Sequence, residues 1–313
     1  MFRWMAVAFL SVSTVAQAQD PRLYTIGSGD VNGSYYAAAT ALCQETNRAE
    51  AALRCSPEAT PGSIYNMEAL RTRQLDFAIV QSDVQTMALT GEGPFVGKPV
   101  FSDLRSVMSL YPETLTVLAR PDAHILSLGG LVGKRVDIGL PASGRQATAM
   151  RLLTALGLDR TDFRALLELS TGTGLDELCA GRIGATVLIL GHPSSVVDRA
   201  INECDARLVN ISGPEVRAFI EANDDYVYSS IPRSVYGKKG RILSIGVLAT
   251  LVTRTDIPDD IVAAIIKNTI ANLPSIGVSA AVLEKLSVRD MQESGLVAPL
   301  HPAAATMFAE RGN

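Results

Sequence analysis

The chain has 313 residues, 47% apolar and 19% charged, enough to bury two cores of ordinary size and too apolar for a disordered protein. Twenty-eight basic residues against 32 acidic ones give a net charge of −4, and no basic block occurs, which argues against nucleic acid as a partner. The one long apolar run lies at the N-terminus, so no internal membrane span is expected.

That N-terminal run reads as an export signal. Arg3 supplies a thin positive segment, residues 5–15 are apolar, and Ala16-Gln17-Ala18 has the small-x-small pattern of a cleavage site. No Cys follows the apolar run, so lipid attachment is not indicated. Cleavage after Ala18 would define residues 1–18 as a signal peptide and remove Trp4, the only tryptophan. A mature chain without Trp tells against sugars, whose receptors lean on flat aromatic platforms.

Strands and helices then alternate. Residues 23–27 read as a short buried strand and 35–47 as a helix. A second strand is expected over 51–58, followed by a helix over 63–73 with Ile64, Met67 and Leu70 at helical spacing. Residues 77–80 form an apolar run too short for a helix and suited to a parallel-sheet strand. This βαβαβ order implies a right-handed parallel sheet covered by helices. Residues 114–120 open a second round. Strands at 135–139, 165–169, 185–190 and 206–209 alternate there with helices at 145–156, 174–180 and 195–201. Residues 245–253 make a long apolar strand, 259–273 a helix with Asp256 and Pro258 near its start, and 302–311 a final helix.

The pattern describes two α/β lobes, residues 19–113 plus 247–313 and residues 114–246, with a cleft between them. The stretches 114–120 and 245–253 are the expected crossings and would act as a hinge. Ligands of such folds bind beyond the carboxyl ends of the parallel strands, where loops meet helix N-termini. After the first strand comes Gly27-Ser28-Gly29-Asp30-Val31-Asn32-Gly33-Ser34-Tyr35-Tyr36, in which Gly29 lets backbone approach a ligand and Ser34 can cap or donate. A dinucleotide fingerprint would need Gly where Asn32 stands, so no nicotinamide cofactor is expected, nor any other. Thr60-Pro61-Gly62-Ser63 and Gln81-Ser82-Asp83 follow the next two strands. In the second lobe, Ser143 and Gly144 with Arg145 or Gln146 make an anion site at a helix start. Gly191-His192-Pro193 repeats the arrangement one strand later.

Chemistry is not expected. There is no G-x-S-x-G, and His124, His192 and His301 have no evident acid partner. An oxidising compartment would pair the four cysteines, and four allow three pairings. Cys43 with Cys55 would join the first helix to the strand after it, and Cys179 with Cys204 would do likewise in the second half, each worth about 3 kcal/mol. The rival, a metal site, lacks a C-x-x-C and clustered His.

From about Arg22 to Gly312 the sequence resembles the TAXI family of TRAP-transporter solute-binding proteins. The resemblance is carried by Ile26-Gly27-Ser28-Gly29 with Tyr35-Tyr36, by residues 60–66, by Asp76-Phe77-Ala78-Ile79-Val80-Gln81-Ser82-Asp83, and by residues 91–97. It continues through Ser109-Leu110-Tyr111-Pro112-Glu113, Gly133-Lys134-Arg135-Val136, residues 141–148, Gly191-His192-Pro193 and Pro299-Leu300-His301-Pro302. It implies a monomeric periplasmic receptor of the type II-like binding-protein fold that closes on a glutamate-like or dicarboxylate-type acid. Such a receptor delivers its ligand to an integral-membrane TRAP permease driven by an ion gradient; a sensor protein is the alternative partner. The glycine loop, residues 60–63 and 81–83, Tyr111, residues 143–146 and 191–193 would line the cleft, and the four Cys fall where a bacterial subgroup carries them. Asp30, Asn32, Pro61 and the order Arg145-Gln146 depart from the family pattern. A carboxylate at Asp30 facing the ligand would repel a dianion and favour an amine.

Overall fold

The computed structural model describes residues 20–310, so the expected signal peptide lies outside the described residues. The elements are β1 (Arg22–Gly27), α1 (Ser34–Ala49), β2 (Leu53–Glu58), α2 (Ser63–Arg71), β3 (Phe77–Gln81), α3 (Ser82–Thr90) and the long β4 (Leu104–Ala119). A second succession follows with β5 (Arg135–Asp137), α4 (Gly144–Ala155), β6 (Ala165–Leu167), α5 (Thr171–Cys179), β7 (Ala185–Leu190), α6 (Ser195–Glu203), β8 (Arg207–Val209) and α7 (Pro214–Glu221). The chain returns through β9 (Val227–Pro232) and β10 (Arg241–Arg254), then ends in α8 (Asp259–Ala271), α9 (Leu273–Ser279), α10 (Val288–Glu293) and α11 (Pro302–Ala309).

All strands join one sheet in the order β2-β1-β3-β10-β4-β7-β5-β6, with β8 beside β4 and β9 beside β10. β1 pairs in parallel with β2 and β3, and β5 with β6 and β7. β4 and β10 run antiparallel to each other and to the parallel sets on either side. Each crossing strand is longer than its apolar run suggests: β4 begins ten residues earlier than the expected 114, and β10 starts at Arg241. Two register shifts in their pairing skip Leu110 and Val107 of β4. Such irregularities bend and twist a strand, which curls the sheet into a half-barrel.

Burial on both faces explains why short apolar runs sufficed to mark the inner strands. In β3, Phe77 and Ile79 pack with Leu42 and Ile265 on one face, while Ala78 and Val80 pack with Met67 and Leu70 on the other. β7 repeats this, with Ala185 and Val187 against Leu152 and Phe163, and Leu188 and Leu190 against Leu178 and Val197. The result is two α/β halves, each with helices on both sides of its part of the sheet.

Both disulfides form between neighbours in the chain. Cys43–Cys55 fastens α1 to β2 and Cys179–Cys204 fastens the end of α5 to the end of α6, with Cα separations of 4.9 and 5.0 Å. The Cys43→Ala/Cys55→Ala double variant should lose about 3 kcal/mol of unfolding free energy in urea. A loss below about 1 kcal/mol would show that the bridge adds little to what the core already holds.

Candidate functional site

The connection after each of four parallel strands ends at a helix whose first turn points to the seam between the halves. Ser34 of α1 and Ser63 of α2 come from the first half, Gly144 of α4 and Thr171 of α5 from the second. All four line one cavity of about 80 Å³. A helix N-terminus carries roughly half a positive charge together with N–H groups that have no intrahelical acceptor. The two halves differ in how these are satisfied. Ser143 caps α4 by accepting from Gln146 N–H, and Ser170 caps α5 by accepting from Thr173 N–H. Gly33 and Gly62 stand at the corresponding positions of α1 and α2 and provide no side-chain cap.

Several hydrogen bonds close the seam. Tyr65 N–H donates to Ala142 O at 3.0 Å, and Thr171 N–H to Asp30 Oδ2 at 3.3 Å. The Asp83 carboxylate accepts from Tyr226 OH (2.6 Å) and Thr148 OH (2.8 Å) of the second half, and from Val84 N–H and Gln81 Nε2 of the first. Gln81 Nε2 also reaches Thr148 Oγ1 at 3.0 Å. A Cβ at Gly144 would stand 1.9 Å from Gln81 Oε1, so only glycine lets α4 come this close.

The cavity gathers Gly29, Ser34, Tyr35, Ser63, Gln81, Ser143, Gly144 and Arg145 from the residues singled out by sequence. The others lie around it. Thr60 donates to Asn66 Oδ1 and Ser28 O, and Ser82 Oγ accepts from Leu248 N–H, so both hold the loops beneath. Asn32 abuts Gly172 across the seam, and Asp83 is the latch just described. Gln146 turns away to Gly139 O, which leaves Arg145 as the member of that pair facing the cavity. Gly191 packs on the Tyr111 ring and Val282. His192, followed by a cis bond to Pro193, sits between the hydroxyls of Thr116 and Tyr236, and burial pulls its pKa down to about 4.

Pro61, within the expected stretch 60–63, lines the cavity too, whereas sequence reasoning did not select Glu113, Leu140, Ser170, Thr171 or the β7 end Leu188-Ile189-Leu190 as lining residues. It named Asp30 and left its direction open. Asp30 lines the cavity, with one oxygen on Asn32 N–H (2.8 Å) and the other on Thr171 N–H. Glu113 lies opposite, buried, with Tyr35 OH donating to its Oε2 at 2.7 Å. Burial lifts the Glu113 carboxyl to about 8, with Asp83 adding to the effect.

Arg145 is braced from below. Its guanidinium donates to Asp137 Oδ2, to Thr186 Oγ1 at 2.8 Å and to Val187 O. Asp137 is 0% exposed and also accepts from Gly139 and Leu169 N–H and from the Thr186 hydroxyl. Burial lowers the Arg145 pKa from its ordinary value while Asp137 and Asp30 oppose that shift. Removing the guanidinium would strand a buried carboxylate, so Arg145→Ala should cost about 3–5 kcal/mol of stability in urea unfolding. A cost under about 1 kcal/mol would mean that the backbone and Thr186 donors alone satisfy Asp137.

The NMT1-like family model matches residues 26–312. Among solved structures, the chain is similar to MatC from Rhodopseudomonas palustris with bound malate, with 16% identity over 93% of this chain and 96% of that one and a TM-score of 0.59. It is also similar to the alkanesulfonate-binding protein SsuA from Xanthomonas axonopodis pv. citri bound to MOPS (14% identity, 93% and 85% covered, TM-score 0.52). A third is the periplasmic binding protein BugD (11%, 85% and 87%, TM-score 0.56). At these identities the likeness is one of fold, a mixed α/β sheet with flanking helices.

Proposed function

We propose that this chain, which belongs to the NMT1-like family, is a solute-binding protein of the periplasm that captures one small organic acid between its halves. The observation that carries this reading is the convergence of four helix N-termini with Arg145 on a single cavity at the seam. Aligned N–H groups and one guanidinium in a partly desolvated site favour an oxyanion over a neutral solute. The cavity's small size favours an acid with few carbons over a sugar or peptide. Two proteins of the same fold, named with malate and with the sulfonate MOPS, hold acids.

In this reading residues 1–18 direct export, residues 19–113 plus 247–313 form one jaw and residues 114–246 the other. The jaws turn about β4 and β10. The cargo is glutamate-like or a dicarboxylate, the receiver is a TRAP permease of the TAXI type, and the chain performs no chemistry on what it carries. The two disulfides support an oxidising compartment.

A thermal-shift screen with malate, succinate, 2-oxoglutarate, glutamate and short alkanesulfonates tests the reading. At about 100 times its Kd, a true cargo adds about 2.7 kcal/mol to the folded state and raises the melting temperature. Gly144→Val, whose side chain collides with Gln81, should hold the jaws apart and abolish that rise while the protein stays folded. No shift from any acid would remove the proposal.

A further inference from the structure

We propose that Glu113 is a ligand-contacting acid that meets the cargo as a neutral donor, giving a hydrogen bond from its carboxyl O–H to an anionic oxygen of the bound acid. This rests on the reading of the seam cavity as the cargo site. Glu113 is 2% exposed and lines that cavity from β4. Its Oε2 is taken by Tyr35 OH, and Oε1 has no donor among the described residues. Two residues earlier, hence on the same face of the strand, the buried Tyr111 stays outside the cavity lining and has Ser34, which does line it, as a side-chain neighbour. A buried carboxyl at a cavity wall, with one oxygen free of any donor among the described residues, calls for a group that is not part of the protein.

The surroundings decide which protonation state that group meets. Tyr35 faces Glu113 from α1, Tyr111 from β4 and Asp83 from α3, while Ser63 of α2 lies 3.5 Å from the Tyr35 hydroxyl. Asp30 and Arg145 line the same cavity, and Arg145 is already paired with Asp137. Among the described residues no cation is bonded to Glu113; burial, with Asp83 adding to it, favours the neutral form and outweighs the Tyr35 hydrogen bond, which favours the charged one. With Tyr35 donating to Oε2, the proton belongs on Oε1, the oxygen open to the cavity. A neutral acid there donates to an incoming carboxylate, whereas an ionised one would repel it. The cargo therefore presents an anionic oxygen at this wall and not an ammonium.

Glu113→Gln tests this because the amide is isosteric with the neutral acid. Its carbonyl can accept from Tyr35 and its NH2 can donate to the cargo. Calorimetric titration with malate, glutamate or whichever screened acid binds tightest, run from about pH 6 to about pH 10, should give a flat wild-type Kd up to about 8 and then about a tenfold rise per pH unit. Glu113→Gln should stay within about threefold of wild type at neutral pH and remain flat. Without ligand, the unfolded chain gives up this proton near 4.5 and the folded protein near 8. Its contribution to stability is thus full below 4.5 and declines up to about 8, and the variant should lack that decline in melting temperature. A wild-type affinity that strengthens with pH, or a variant about 100-fold weaker at neutral pH, would show that Glu113 meets the cargo ionised and overturn the proposal. So would identical pH profiles for the two proteins while acids still bind, which leaves the cargo reading intact. Failure of every acid to raise the melting temperature removes both.

Discussion

Everything at the seam depends on one pairing, that of β4 with β10. Each strand belongs to both halves: β10 pairs with β3 through residues 249–253 and with β9 through residues 241–246, while β4 pairs with β7 through residues 114–119. The halves are thereby fixed in register by a shared ladder of hydrogen bonds and not by a linker. The parallel strands on either side then send their following helices toward the same line. That is why Ser34, Ser63, Gly144 and Thr171, far apart in the chain, come to one cavity. The skipped residues Leu110 and Val107 lie in this ladder, so the bend that brings the halves face to face is built into the shared strands themselves.

Closure of the seam is organised by polar groups, which makes it specific. Asp83 is 0% exposed and draws on donors from both halves, among them Tyr226, which is 143 residues away in sequence. Burial pushes its pKa up, and those hydrogen bonds counter the shift by favouring the charged form. A buried carboxylate supplied with donors from both sides at once discriminates against partial closure, because any opening that costs it Tyr226 and Thr148 must replace them with water. Glycine provides the clearance. A side chain at Gly144 would meet Gln81, and one at Gly174 would meet Asp137 Oδ2 at 2.2 Å, so the latch and the brace under Arg145 both need backbone without Cβ at these points.

Much of this frame was legible in sequence, and what was missed has physical causes. Strands buried on both faces read as continuous apolar runs, so β3 and β7 stood out from Phe77 and Ala185 onward. β9 did not, because it is an edge strand whose Val227 and Tyr228 are exposed and show no alternation. The early part of β4 contains Pro112, a residue that central strands disfavour; here the proline is the one exposed residue in an otherwise buried stretch. Glu113 stands in the stretch 109–113 that carries the resemblance, but its place at the cavity is set by the pairing of β4 with β10 and leaves no trace in local spacing. The loops after the strands were found because glycine and serine mark helix entries. The roles of Thr60, Ser82 and Asp83 were not, because their partners Asn66, Leu248 and Tyr226 are set by tertiary structure, and spacing carries no trace of them.

The cavity holds two carboxyl groups and one guanidinium, and counting formal charges alone would suggest that it repels anions. The contacts reverse that sum. Asp30 is bonded to Asn32 N–H and to the N-terminal amide of α5, so its charge is already met by backbone donors. Arg145 is matched by Asp137 beneath it. Burial keeps Glu113 neutral below about 8. What remains are the N-termini of α1 and α2, entered through Gly33 and Gly62 without a side-chain cap; in α2 Tyr65 N–H is taken by Ala142 O across the seam, which leaves the amides before it. The field left in the cavity is therefore positive and comes from backbone dipoles in the first half. Small, fixed partial charges of this kind would keep their orientation if the halves part, and in the proposed role they would let the site take an anion without burying an unpaired ion of its own.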